Sequence, residues 1–206
     1  MKQQRSEQAI LFIKQKKDTL IAAGIAAVIV VVAVLSFGYL REQKQNEARE
    51  AFGKALSSQG QEAALEEFRA ITQDFKGSIY ATYANMFLGL NLLDKQEHRE
   101  AAIAFEEALR SKQPAAFLTA QLWELRAVAL EFDGSLDEAL SSFQRALSIQ
   151  NNSYRRNEVL LKAGLLNLRM GQNEEAKRMF EEIIADGTAN ERTLRIARNE
   201  IAALEM

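Results

Sequence analysis

Two rhythms divide the chain. From Leu20 to Leu40 the run LIAAGIAAVIVVVAVLSFGYL holds 21 residues without a charge. A helix of that length reaches about 31 Å, and the hydrocarbon core of a bilayer is about 30 Å thick. A soluble core helix would keep a polar side, and this run has none. A cleaved leader has an apolar stretch of about 7–15 residues closed by small residues. This run is longer, follows a polar lead and has no such close. The pattern therefore predicts an uncleaved signal anchor at 20–40. Beyond Arg41 apolar residues recur every three or four positions among charges, the period of amphipathic helices.

That second rhythm repeats. Four segments share one design: EAALEEFRAI at 62–71, EAAIAFEEAL at 100–109, EALSSFQRAL at 138–147 and EAKRMFEEII at 175–184. Each sets an alanine four residues before a phenylalanine: Ala64 and Phe68, Ala101 and Phe105, Ala139 and Phe143, Ala176 and Phe180. Ile71, Ala108, Ala146 and Ile183 follow one turn later on the same helical face. Upstream of each lies a partner helix with a small residue at a matching place: Gly89, Ala127 and Gly164, with Phe52 the exception. Gly89 and Gly164 predict close approach of a neighbouring helix backbone. Polar turns (SSQGQ, DKQEH, FDGS, MGQN) separate the paired helices.

The unit resembles the tetratricopeptide repeat, a helix–turn–helix with the pattern W-x2-L-G-x2-Y, A-x3-F, P. Trp123, Ala127, Leu130, Ala139, Phe143 and Ala146 fill it in the third unit. Leu160, Ala163, Gly164, Asn167, Ala176 and Phe180 fill it in the fourth, and Leu88, Gly89, Leu92, Ala101 and Phe105 in the second. The first is degenerate. The expected fold is all-α: the anchor, then a solenoid over 41–206 with units near 45–81, 82–119, 120–156 and 157–187. A capping helix at 189–205, carrying Ala197, Ile201 and Leu204, closes the exposed end.

Charge orients the chain. Lys2, Arg5, Lys14, Lys16 and Lys17 precede the span, and Arg41, Lys44, Arg49 and Lys54 follow it. The slight excess ahead of the span places 1–19 in the cytoplasm and everything after Arg41 outside. Residues 41–206 hold 21 basic and 26 acidic side chains. That balance argues against a nucleic-acid partner. Cysteine is absent and histidine occurs once, at His98. Disulfides, cysteine-based zinc sites and thiol nucleophiles are thereby excluded, and a lone histidine argues against histidine-rich metal sites and a Ser-His-Asp triad. His98 reads as a solvated residue of the DKQEH turn, and Arg155-Arg156 as part of another solvated turn. Adjacent acids such as Glu106-Glu107 diverge on a helix and make no catalytic pair. Neither a phosphate loop nor a dinucleotide fingerprint is present. No catalytic residue, cofactor, metal or small-molecule substrate is expected.

Stacked hairpins of this family present a concave face lined by each unit's first helix. Periodicity and the family's register place Arg49 there in the first unit, and Tyr83, Met86, Leu90 and Leu93 in the second. The third contributes Gln121, Glu124, Val128 and Glu131, the fourth Leu161, Leu165 and Leu168. An aliphatic groove rimmed by acids suits an apolar or amphipathic polypeptide segment with basic flanks. The alternatives are that these leucines pack within the solenoid itself, or that a second copy or the C-terminal helix fills the groove.

The layout as a whole is similar to the YfgM-like family. It has a short lead, the anchor LIAAGIAAVIVVVAVLSFGYL, the linker REQKQNEAREAF and the repeats. That resemblance implies an ancillary subunit of the Sec translocon in the bacterial inner membrane. Its expected partners are translocon subunits, a periplasmic chaperone and secretory chains. A scaffold for another envelope assembly, or an organelle import receptor with cytosolic repeats, shares the same layout.

Overall fold

A computed structural model describes residues 17–110, 115–149 and 154–206. The lead at 1–16, with four of its basic residues, and Pro114 lie outside the described residues. The described residues form nine helices and no strand. They are α1 (Lys17–Ser57), α2 (Gln61–Asp74), α3 (Ile79–Asp94), α4 (His98–Leu109) and α5 (Ala116–Asp133). Then come α6 (Leu136–Ile149), α7 (Tyr154–Arg169), α8 (Asn173–Ala185) and α9 (Glu191–Leu204).

The chain divides into two units, Met1–Glu47 and Ala48–Met206. In the first, α1 presents its apolar side chains outward: Ile25, Val30, Leu35 and Phe37 are all more than half exposed. Among the described residues this is the one helix long and apolar enough to cross a membrane. The last turns of α1, from Ala48, belong to the second unit, with Ala48 and Ala55 buried.

The second unit is an α-solenoid in which each helix from α2 to α9 packs on its successor. Three of its hairpin turns are built alike. After α3, α5 and α7 a residue turns into the left-handed region: Gln96 at φ 62°, Gly134 at 84° and Gly171 at 73°. In each, the next amide donates back across the turn: Glu97 N to Leu92 O, Ser135 N to Leu130 O and Gln172 N to Asn167 O. Such a closure satisfies helix-end carbonyls, and glycine adopts it without a Cβ penalty. Gln96 holds the same conformation with a side chain.

The phenylalanines of the four segments knit the hairpins. Phe105, Phe143 and Phe180 are fully buried, and Phe68 nearly so. The glycines serve these rings rather than a neighbouring backbone, which corrects the sequence expectation. A Cβ on Gly89 would stand 2.6 Å from Phe105 Cε1, and one on Gly164 would stand 2.5 Å from Phe180 Cε1. The third hairpin keeps its buried small residue as Ala127. Apolar burial of this kind supplies most of the driving force, roughly 1.5–3 kcal/mol for each large side chain.

The apolar interior falls into two clusters. Ala55, Leu65, Phe68, Ile71, Ala84 and Leu88 form one, with Phe52, Tyr80 and Phe87 against it. The other runs from Ala101 to Ala197 through α4–α9. Phe52 is the hub of the first. Its ring centroid lies 5.5 Å from Phe68, 5.8 Å from Tyr80, 5.9 Å from Tyr83 and 6.0 Å from Phe87.

The junction of α8 and α9 is polar. The Thr188 backbone N–H donates to Asp186 Oδ1 at 2.8 Å, Asn157 Nδ2 donates to Oδ2 at 2.9 Å and the Thr188 hydroxyl donates to Oδ1. These donors, the Thr188 amide first, hold the Asp186 carboxyl below its ordinary value. A depressed carboxylate stabilises the fold above its unfolded pKa and loses that contribution as pH falls toward the folded one. Asp186→Asn is therefore expected to lower the Tm at neutral pH. Its gap to the parent protein should close below about pH 4. Tm measured against pH for both proteins checks this.

Candidate functional site

The first helices of the hairpins are the end of α1, then α3, α5 and α7, with α9 one step further. Every residue named above lies on the end of α1, α3, α5 or α7. Arg49 is exposed on α1. Tyr83, Met86 and Leu93 are half-buried on α3 and pack on the larger core. Leu90, at 37% exposure, is the most open apolar member of the set. On α5, Gln121 is half-buried and Val128 packs on the core. Leu161, Leu165 and Leu168 of α7 are half-buried against that core. These leucines thus serve packing and still offer part of their surface.

The two acids of the set are drawn into ion pairs. Glu124 is buried, and its carboxylate receives Arg155 Nη2 at 2.8 Å and Lys162 Nζ at 2.6 Å. Glu131 receives Arg169 Nη1 at 2.5 Å. All three cations come from α7, so a ladder of charge ties α5 to α7. The free acid rim anticipated from the sequence is neutralised at these positions. Arg155 and Arg156 also depart from the solvated-turn reading. Both sit in the first turn of α7, and Arg156 reaches Glu182 at 2.5 Å and the Leu147 carbonyl at 3.1 Å.

Arg126 is a further tie that sequence reasoning passed over. It is 15% exposed and donates to Ser142 Oγ at 2.6 Å. It also meets Glu106 at 3.3 Å and Glu138 at 3.4 Å, joining α4, α5 and α6. Trp123, half-buried, lies under the guanidinium groups of Arg126 and Arg145, at 5.7 Å and 5.0 Å. His98 is less open than expected, since its ring stacks on Phe132 at a centroid distance of 5.2 Å. A signal for the ladder was present: Glu124 and Lys162, like Glu131 and Arg169, stand 38 positions apart, about one repeat. Opposite charges at equal register in consecutive units are what a stack brings together.

Among the described residues no group of three or more His, Cys, Asp or Glu is placed to hold a metal ion. What the described surface offers is a set of half-buried apolar side chains on α3, α5 and α7, the last two tied by ion pairs. Such α-solenoids are protein-docking scaffolds. Residues 11–203 match the family described as the tetratricopeptide repeat-like domain, and the chain belongs to that family. The match begins ahead of the apolar run, so it takes in the candidate span together with the repeats. No curated protein matches the sequence. Among solved structures, the crystal structure of MamA is similar in fold. It has 15% identity and a TM-score of 0.53, over 69% of this chain and 83% of that one.

Proposed function

We propose that this protein is a single-pass inner-membrane docking subunit. Residues 20–40 span the bilayer, the N-terminus is cytoplasmic and the repeat domain is periplasmic. Its groove takes a polypeptide segment beside the Sec translocon, recruiting a periplasmic chaperone or an emerging secretory chain. The observation that carries this reading is the joining, in one family-matched chain, of an outward-facing apolar helix with a hairpin solenoid. Anchoring raises the effective concentration of the groove at the membrane surface, so a weak site suffices there. No turnover is needed.

Leu90 is the residue to test first, because its exposure frees it from the fold. Leu90→Ser is expected to weaken partner crosslinking about fivefold, near 1 kcal/mol, with Tm unchanged. Adding Leu161→Ser and Leu165→Ser should abolish capture, with folding checked by circular dichroism. Capture that persists through the folded triple variant removes the groove from the proposal. A compartment-sensitive reporter on the C-terminus tests the orientation. Crosslinks from residue 90 should recover translocon subunits and nascent chains, whereas a different, fixed set of envelope proteins would point to a scaffold elsewhere.

A further inference from the structure

The buried positions of α7 recur one repeat later in α9. Leu160 and Ala163 correspond to Leu194 and Ala197, both of which face the core. The register then matches Glu158, Leu161, Leu165 and Leu168 with Arg192, Arg195, Asn199 and Ala202. Those four α9 side chains are exposed. The row of α7 leucines therefore runs on into two arginines and an amide. Arg198 is also exposed, in the register of Gly164. No further hairpin stands over it among the described residues.

The charges of this region are unequal in their commitments. On α7, Arg155 and Lys162 serve Glu124, Arg156 serves Glu182 and Arg169 serves Glu131. On α8, Lys177 pairs with Glu205 and Arg178 with Glu175. Among the described residues Arg192, Arg195 and Arg198 close no salt bridge, although Glu191 and Glu200 share their helix and Glu158 lies on α7. Glu124 and Glu131 are thus spoken for, Glu158 closes no salt bridge among the described residues, and α9 carries three uncommitted arginines against the two acids Glu191 and Glu200. Guanidinium groups present a planar fork that fits a carboxylate, and an amide such as that of Asn199 can bond peptide backbone beside it.

We propose that the α9 end of the groove recognises acidic side chains of a partner polypeptide, whose neighbouring apolar residues lie toward α7 and α3. This rests on the groove reading above and reverses the basic flanks anticipated from the sequence. A lipid headgroup would need only the arginines. The continuity of their register with the α7 leucines is what favours a polypeptide carrying both features.

The test uses the full chain in phosphatidylcholine nanodiscs and fluorescence anisotropy. The probes are synthetic peptides with one shared leucine-rich amphipathic sequence and a tail of aspartates, serines or lysines. The aspartate tail is expected to bind about tenfold tighter than the serine tail. The lysine tail should be weaker still, with the differences shrinking as salt rises. Arg192→Ser with Arg195→Ser should erase the preference, while Lys76→Ser, at an exposed residue of another turn, leaves it intact. Equal binding of all tails overturns the inference. So does a preference that survives the double variant. Tail-independent binding lost in Leu161→Ser/Leu165→Ser would leave the groove standing without this end of it. Absence of binding by every peptide would remove both. Phosphatidylglycerol vesicles bound through the same arginines, with no tail preference among peptides, would assign the strip to a membrane and overturn the proposal as well.

Discussion

Phe180→Ala is expected to lower the unfolding free energy by about 3–5 kcal/mol, the cost of deleting a fully enclosed aromatic ring. Phe180 has no exposed surface and its ring occupies the space that a side chain on Gly164 would need. The glycine supplies the sharper half of the test. Gly164→Ala alone should cost about 1–3 kcal/mol, since its methyl group must displace a ring held on all sides. In the Phe180→Ala background the same change should become neutral or favourable, because alanine is the better helix former by about 1 kcal/mol. Urea denaturation of the four proteins measures the coupling. Additive effects would show that the ring does not sit on the glycine.

The second large effect concerns the ladder between α5 and α7. Replacing Arg155 and Lys162 together by alanine should cost about 3–5 kcal/mol, because it strands the Glu124 carboxylate away from water. The side chain of Glu124 is only 6% exposed, whereas those of Arg155 and Lys162 are 38% and 44% exposed. Glu124→Leu should therefore cost much less, as both cations can turn to solvent and the leucine fills an apolar surround. Chemical denaturation ranks the two variants. The reverse order would mean that the carboxylate reaches water.

Much of this architecture is readable one residue at a time. The alanine–phenylalanine spacing marks the buried face of α2, α4, α6 and α8, because side chains four apart on a helix share a side. The uncharged run marks a helix long and apolar enough to cross a membrane, because length and lack of charge are what a bilayer asks of a helix. What stayed hidden depends on contacts between helices, within a hairpin or across units. Gly89 and Gly164 invite the reading of close helix approach, and only the stack reveals that the ring from the hairpin's other helix fills the space. Arg155 and Arg156 follow NNSY, a string rich in turn formers, yet burial of Glu124 and the position of Glu182 draw both into α7. His98 looks solvated from its neighbours DKQE and R, but Phe132 of the next hairpin covers it. Gln96 sits in a conformation that its counterparts Gly134 and Gly171 adopt freely, which composition alone does not disclose. The charge pattern around Glu124 and Glu131 was not legible, since it is decided by pairings about one repeat apart.

The division of the interior at α3 carries a mechanical consequence. Ala84 and Leu88 turn toward the Phe52 hub, while Met86, Leu92 and Leu93 lean on the longer cluster and Tyr83 touches both. The leading hairpin therefore possesses a small nucleus of its own. In a quasi-one-dimensional stack such a segment is able to melt by itself. Tension applied through α1 would peel that hairpin first, bare Tyr80 and Phe87, and leave the remaining hairpins upright.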